Sequence, residues 1–164
     1  MVLADVVVSR VSRTTQATPN EMPPVGGEPT FKVVDLEEIK RQPPVFTAVF
    51  TEGDHKFYIN DHLFSLDDAP MVRAKVGQFQ HWKIVNKTRE IHPMHMHQAH
   101  FLAFAENGRP IHDPVWLDTV NVAVDGSVDV VMDFTNPVIR GMAVFHCHLL
   151  NHEDKGMMAK ILFE

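Results

Sequence analysis

The chain has 164 residues, enough for one substantial core and short for two or three full domains. Hydrophobic residues make up 45% and charged residues 22%, an ordinary globular composition that excludes a disordered chain. The net charge of -6 argues against nucleic acid as the main partner, and no apolar run approaches the roughly 18 residues of a membrane helix.

Val2–Val8 is valine-rich, with neither a basic n-region nor a small-residue cleavage site, so it reads as a strand and not as a signal peptide. Thr14–Thr30 holds Pro19, Pro23, Pro24, Gly26, Gly27 and Pro29, the composition of a linker or a draped loop. Leu36–Arg41 is expected to form one helical turn, stopped by Pro43 and Pro44. Residues 1–44 are therefore expected to be an extended N-terminal arm. From Val45 onward short β-rich runs follow one another: Val45–Phe50, Lys56–Ile59, Met71–Val76, Phe79–Val85, Ala99–Ala105, Thr119–Val124, Ser127–Phe134, Ala143–His148 and Met158–Phe163. Turn signals separate them, among them Glu52-Gly53-Asp54, Asn60-Asp61, Asn107-Gly108, Asp125-Gly126 and Asn136-Pro137. Ser127–Phe134 alternates well, placing Val128, Val130, Met132 and Phe134 on one face. The expected fold is all-β, a sandwich or barrel over residues 45–164.

The compositional anomaly is histidine, with eleven residues against a single cysteine, which can form no internal disulfide. Six histidines fall in two clusters, His92-Pro93-Met94-His95-Met96-His97 and His146-Cys147-His148 followed by His152 and Met157. Strand side chains alternate faces, so His146 and His148 share one side and Cys147 takes the other. His95 and His97 likewise share a face, and His92 has the opposite parity. Two sites back to back are the expected result. One gathers His92, Cys147, His152 and either Met157 or its rival Met158. The other gathers His95, His97, His146 and His148.

Two imidazoles, a thiolate and a thioether form the ligand set of an electron-transfer copper with a weak axial donor. Structural zinc would favour four strong ligands, which a thioether is not. Four imidazoles without sulfur suit a copper site that handles oxygen. Cys147 is bonded to both His146 and His148, so the two sites are wired through the main chain. A lone His-x-His pair is more often packing than ligation; two clusters with a cysteine at the right parity are what turn the reading to metal. His55, His62, His81, His100 and His112 are expected to be surface or hydrogen-bonded residues. Most of the nine methionines are expected to fill the core.

With these motifs in view, the sequence resembles the multicopper oxidases, the family of laccases, cuprous oxidases and bilirubin oxidases, and within them the C-terminal cupredoxin domain. His92–His97 resembles the family's first copper motif, and His146-Cys-His-Leu-Leu-Asn-His-Glu-Asp-Lys-Gly-Met-Met158 the second. A looser likeness covers Asn60-Asp61, Trp82–Asn86 and Asp118–Val120. The resemblance implies a Greek-key cupredoxin β-sandwich or barrel over 45–164, with 1–44 as the end of a preceding domain plus a Pro/Gly-rich linker. It implies type 1 copper on His92, Cys147, His152 and Met157, type 2 copper on His95 and type 3 copper on His97, His146 and His148. It gives Cys147 the electron-transfer role and Glu153 a proton-relay role. Gln98-Ala99-His100 departs from the glycine that many relatives carry after the first motif.

The implied activity is oxidation of a phenol, aromatic amine or metal ion, with electrons passing to a trinuclear cluster that reduces O2 to water. This chain holds four of the eight histidines such a cluster takes. N-terminal cupredoxin domains of the same protein, a second chain or associated copies are expected to supply the rest. An isolated domain would expose surfaces meant for its neighbours, which favours self-association. The resemblance alone implies a periplasmic or secreted setting. The competing reading is a stand-alone cupredoxin-like electron-transfer or copper-binding module.

Overall fold

Alternation of apolar and polar residues with a period of two builds nearly all of the regular structure. A computed structural model describes residues 35–164. The Val2–Val8 strand, the 14–30 linker and most of the expected arm lie outside the described residues. Within them, helix α1 (Leu36–Arg41) precedes strands β1 (Phe46–Gly53), β2 (Lys56–Ile59), β3 (Val72–Ala74), β4 (Gln78–Asn86), β5 (His92–Met96), β6 (His100–Glu106), β7 (Arg109–Pro110), β8 (Trp116–Leu117), β9 (Thr119–Val122) and β10 (Ser127–Phe134). A 3-10 turn at Pro137–Ile139 leads to β11 (Gly141–Cys147), helix α2 (Leu150–Asp154) and β12 (Met158–Phe163). No helix among the described residues is long and apolar enough to cross a membrane.

The strands form two mixed sheets. One runs β2-β1-β4-β10-β6-β7, with β8 also paired to β6; the other runs β3-β12-β11-β5-β9. Pairing is antiparallel except for β1 with β4 and β12 with β3. The expected inward face of β10 holds, with Val128, Val130, Met132 and Phe134 all in the core, although Asp129 and Val131 on the opposite face are buried as well. Ala48 and Phe50 of β1 and Ala159, Ile161 and Phe163 of β12 face the same core. Aromatic rings knit the sheets together. Trp82 of β4 lies 5.7 Å from both Phe134 and Phe145 of β11, and Phe134 lies 5.1 Å from Phe163. Burying each such side chain contributes roughly 1.5–3 kcal/mol.

The two-residue turns follow strand twist. Asn107 and Gly108 both have positive φ (51° and 72°) and join β6 to β7, as Asn-Gly hairpins do. The β1–β2 turn is at Asp54-His55 (φ 51° and 60°), one residue beyond the expected Glu52-Gly53-Asp54, because Gly53 pairs with Lys56 in the ladder. Other boundaries shift similarly: the third strand shrinks to Val72–Ala74, and the penultimate one starts at Gly141 and ends at Cys147. The α2 helix was not expected. It is five residues long, too short for apolar periodicity, and its Leu149 cap makes no side-chain bond.

Helix α1, at the expected position, packs over β4 and β10 on the outer face of its sheet. A buried polar cluster fastens this region. His81 reaches Gln42 O through Nδ1 at 2.6 Å and Asp129 Oδ1 through Nε2 at 3.0 Å, while Lys83 Nζ donates to Asp129 Oδ2 at 3.1 Å. Replacing His81 by Ala strands a buried carboxylate oxygen and should cost about 1–3 kcal/mol in urea unfolding. Lys83→Ala, at a pair partly open to water, should cost under about 1 kcal/mol. Equal losses in the two variants would contradict this ranking.

Candidate metal centre

Three donor atoms meet in the interior between the sheet and α2. His92 stands on β5, Cys147 ends β11 and His152 sits on α2. All three are buried, at 0%, 0% and 3% exposure. His92 Nδ1 is 3.4 Å from Cys147 Sγ, His152 Nδ1 is 3.7 Å from it, and the two Nδ1 atoms are 3.1 Å apart. The circle through the corners of such a triangle has a radius of about 2.0 Å, which matches metal–imidazole bonds of roughly 2.0–2.1 Å and approaches the roughly 2.3 Å of metal–thiolate bonds. The pocket is sized for one ion.

The hydrogen bonds behind the imidazoles fix which nitrogen is free. Asn86 donates through Nδ2 to Glu90 O (2.7 Å) and Val122 O (3.1 Å), so its Oδ1 faces Thr88 and accepts both its N–H (2.9 Å) and its O–H (2.8 Å). Glu90 O, another pure acceptor, is also within 3.1 Å of the hydroxyl. Thr88 Oγ1 has therefore given away its hydrogen and accepts from His92 Nε2–H at 2.6 Å. On His152 the Nε2–H donates to Glu90 Oε2 at 3.2 Å. Both rings thus present an Nδ1 lone pair to the thiol, the tautomer that ligation needs.

Apolar walls complete the chamber. Phe57 stacks on His152 with centroids 4.0 Å apart, and Phe50 and Phe57 turn their rings edge-on to His92 at 5.7 and 5.8 Å. Burial, aided by the neighbouring His152, pushes His92 down to about 4, so its imidazole is neutral at neutral pH. Burial also pushes the Cys147 thiol up to about 11. Neither the His92 ring nor the Cys147 thiol is charged at neutral pH until a cation arrives to stabilise the thiolate, which fits a soft metal.

The loop from Cys147 onward is held by its own backbone. His152 N–H donates to Leu149 O (2.8 Å), Met157 N–H to His152 O (3.0 Å) and Cys147 N–H to Met157 O (3.1 Å). Gly156, at φ 108°, makes the turn out of α2; a Cβ there would come within 2.2 Å of Leu63 Cδ1. Met157 is buried directly after it, whereas Met158 is half-buried on β12 opposite His146.

On the other side of β5 and β11, His95, His97 and His146 bring their ligand atoms within 4.8 Å of one another. His97 Nε2 and His146 Nε2 are 3.1 Å apart. His95 donates through Nδ1 toward Asp118 O (3.0 Å) and Thr119 Oγ1 (2.9 Å), and His146 Nδ1 toward Cys147 O (2.9 Å), which leaves an Nε2 lone pair on each. Burial, then the facing His146 and His95, holds His97 below the ordinary imidazole range. His148 is exposed and falls outside this group of three, its ring 5.2 Å from His95 and 5.7 Å from His146. Glu153 Oε2 reaches His146 Nδ1 at 3.2 Å.

Of the other histidines, His62 pairs with Asp68 at 2.8 Å, His112 with Asp113 at 2.8 Å, and His81 belongs to the buried cluster beneath α1. Asn86, which entered only as the end of the looser likeness at Trp82–Asn86, and Thr88, Glu90 and Phe57 are the residues whose roles sequence reasoning passed over. The signal for the first two was an Asn-x-Thr step four residues ahead of His92; Glu90 and Phe57 carried none.

Comparisons with known proteins agree on one group. A family model described as multicopper oxidase matches residues 37–164. A laccase from Haloferax volcanii is 32% identical over 111 residues, covering 65% of this chain and 19% of its own length. A laccase from Bacillus subtilis is 31% identical over 104 residues, covering 51% of this chain and 20% of its own. The crystal structure of a multi-copper oxidase from Pediococcus acidilactici superposes with a TM-score of 0.67 at 32% identity, over 76% of this chain and 27% of that one. The chain spans about a fifth of the length of the curated relatives it matches.

In the metal-free protein Cys147 should react with a thiol reagent at least about tenfold more slowly than an ordinary cysteine, since burial pushes the thiol up to about 11 and the loss of thiolate outweighs its greater nucleophilicity. Labelling at the rate of a free thiol would show an open chamber. Thr88→Val removes the acceptor behind His92 and should weaken copper binding at this site by about 10–100-fold in competitive titration. Unchanged affinity would disconnect the hydroxyl from the site.

Proposed function

Because the chain belongs to the multicopper oxidase family, we propose that it is the C-terminal copper-binding domain of a laccase-like enzyme. The observation that carries the reading is the buried triangle of His92, Cys147 and His152, set back to back with the cluster of His95, His97 and His146. In this reading His92, Cys147, His152 and the buried Met157 hold type 1 copper. His95 serves the type 2 site, and His97, His146 and His148 serve the type 3 pair. Copper in the first site would supply a one-electron couple able to accept an electron from a phenol, an aromatic amine or a metal ion.

The chain's own residues supply the rest of the logic. Cys147 is covalently joined to both flanking histidines, and its carbonyl accepts from His146 Nδ1, so thiolate and imidazole are linked through bonds in two ways. That is the route we assign to the electron. In this reading Glu153, whose Oε2 lies 3.2 Å from His146 Nδ1, carries protons that O2 reduction to water consumes. The remaining cluster ligands would come from N-terminal cupredoxin domains of the same protein or from a second chain. A periplasmic or secreted setting belongs to the same reading and rests on the resemblance alone.

A second reading, a stand-alone electron-transfer module, is favoured by His148 lying outside the convergent three imidazoles. O2 consumption with a phenolic donor separates the two. Uptake by the chain alone, or uptake restored by a cupredoxin partner carrying the missing histidines, supports the oxidase. Copper loading with reversible redox but no uptake in either case supports the module.

Copper loading should produce an intense visible thiolate-to-copper band, and Cys147→Ser should abolish it because a hydroxyl does not replace a soft thiolate. A band that survives the substitution refutes the assignment. Met157→Leu should retain the band and raise the reduction potential, while Met158→Leu should leave the potential in place; the reverse pattern would move the axial donor to Met158.

A further inference from the structure

Beside His152 the surface opens into a cavity of about 590 Å³, within the range of small-molecule sites. Its charge is opposite to that of the chain. Against an overall -6, the walls carry Lys56, Lys87, Arg89 and Lys155 with only two carboxylates, Glu52 and Glu90. Both carboxylates already have partners: Glu52 Oε1 accepts from the Arg89 N–H at 3.0 Å, and Glu90 Oε2 from His152 Nε2 at 3.2 Å. All four cations are exposed, and among the described residues none lies within ion-pair distance of a carboxylate. Four exposed cations against two carboxylates leave the concave wall net positive, which focuses potential and raises the local concentration of small anions.

The cavity also touches the proposed redox site. Phe57 contributes to its wall and stacks on the His152 ring, and Glu90 contributes to it and hydrogen-bonds the same ring. A molecule seated there is one side chain from a donor of the buried triangle.

From this juxtaposition we propose that the cavity is the docking site for an anionic aromatic reductant, a phenol bearing a carboxylate, and that Lys56, Lys87, Arg89 and Lys155 select it over the neutral phenol. The inference rests on the reading of His92, Cys147 and His152 as the electron-accepting site, and names the substrate class it serves. Oxidation of such a donor releases one electron to that site and the phenolic proton to water, while the carboxylate is unchanged and acts only as the handle.

The test compares 4-hydroxy-3-methoxybenzoate with its methyl ester, which share the phenol and differ in charge. Binding to the full chain without copper is followed by amide NMR shifts. The acid should perturb Lys87–Glu90 and Lys155, bind at least tenfold more tightly than the ester, and weaken as salt rises from about 20 to about 200 mM. Lys87→Gln combined with Arg89→Gln should remove most of the preference, and Lys75→Gln, exposed and remote from this wall, should keep it. In the copper-loaded assembly the ratio of kcat/KM for acid over ester should fall at least tenfold in the double variant. Equal binding of acid and ester, shifts elsewhere on the surface, or a preference that survives the double variant would overturn the proposal. Absence of the visible band on copper loading would instead overturn the reading of the redox site, and the NMR comparison would still report on the cavity.

Discussion

Everything at the candidate centre depends on the register between β11 and β5. Phe145 faces Met96, His146 faces His95 and Cys147 faces Met94. Opposed residues of an antiparallel pair share a face, so this register puts His146 with His95 and the thiol with the side that His92 also occupies. A slip of one residue would exchange the faces and mix thiol with the imidazole cluster. The slip is opposed by the core: Met94, Met96 and Phe145 are all fully or almost fully buried, and each would have to change its environment. Packing of ordinary hydrophobic side chains therefore sets the separation of the two donor groups.

Burial creates a second dependence. Two imidazoles and a thiol share an apolar chamber, and the surrounding polar atoms settle which nitrogen of each ring faces the thiol. The bonds from Asn86 to Thr88 to His92 and from Glu90 to His152 hold the hydrogens on the outward nitrogens. None of these outer residues contributes a donor atom to the triangle, yet each decides which face of a ring carries the lone pair. Glu90 has a double position, bonded to His152 inside and forming part of the cationic cavity outside. The wall of the cationic cavity and the orientation of the interior ring meet at that one carboxylate.

The primary sequence made the two donor groups legible because strand parity is a strict rule: residues 146 and 147 must part company, and 95 must go with 97. It also announced the turn at Asn107-Gly108 and the inward face of β10, both short-range patterns. What it hid was of longer range. The His152 ring comes from a five-residue helix with no periodic signature, and His148, grouped by parity with His146, ends up exposed because the strand stops at Cys147 and the alternation stops with it. Glu90 gives no hint of its partner sixty-two residues away. The cavity draws its cations from three separate segments, so no local run of charge foretells it.

The loop that returns from Cys147 to Met157 closes on itself through main-chain hydrogen bonds and through the tight passage of Gly156 past Leu63. Its shape is settled by the protein alone. The loss of chain entropy falls at the folding step, and little is left for an arriving ion to order. If the site is the proposed redox centre, a donor set held in this way would change its geometry little between oxidation states, and a small nuclear rearrangement is what lets an electron move quickly across a fixed distance. The rigidity of a backbone turn would thereby become a kinetic property.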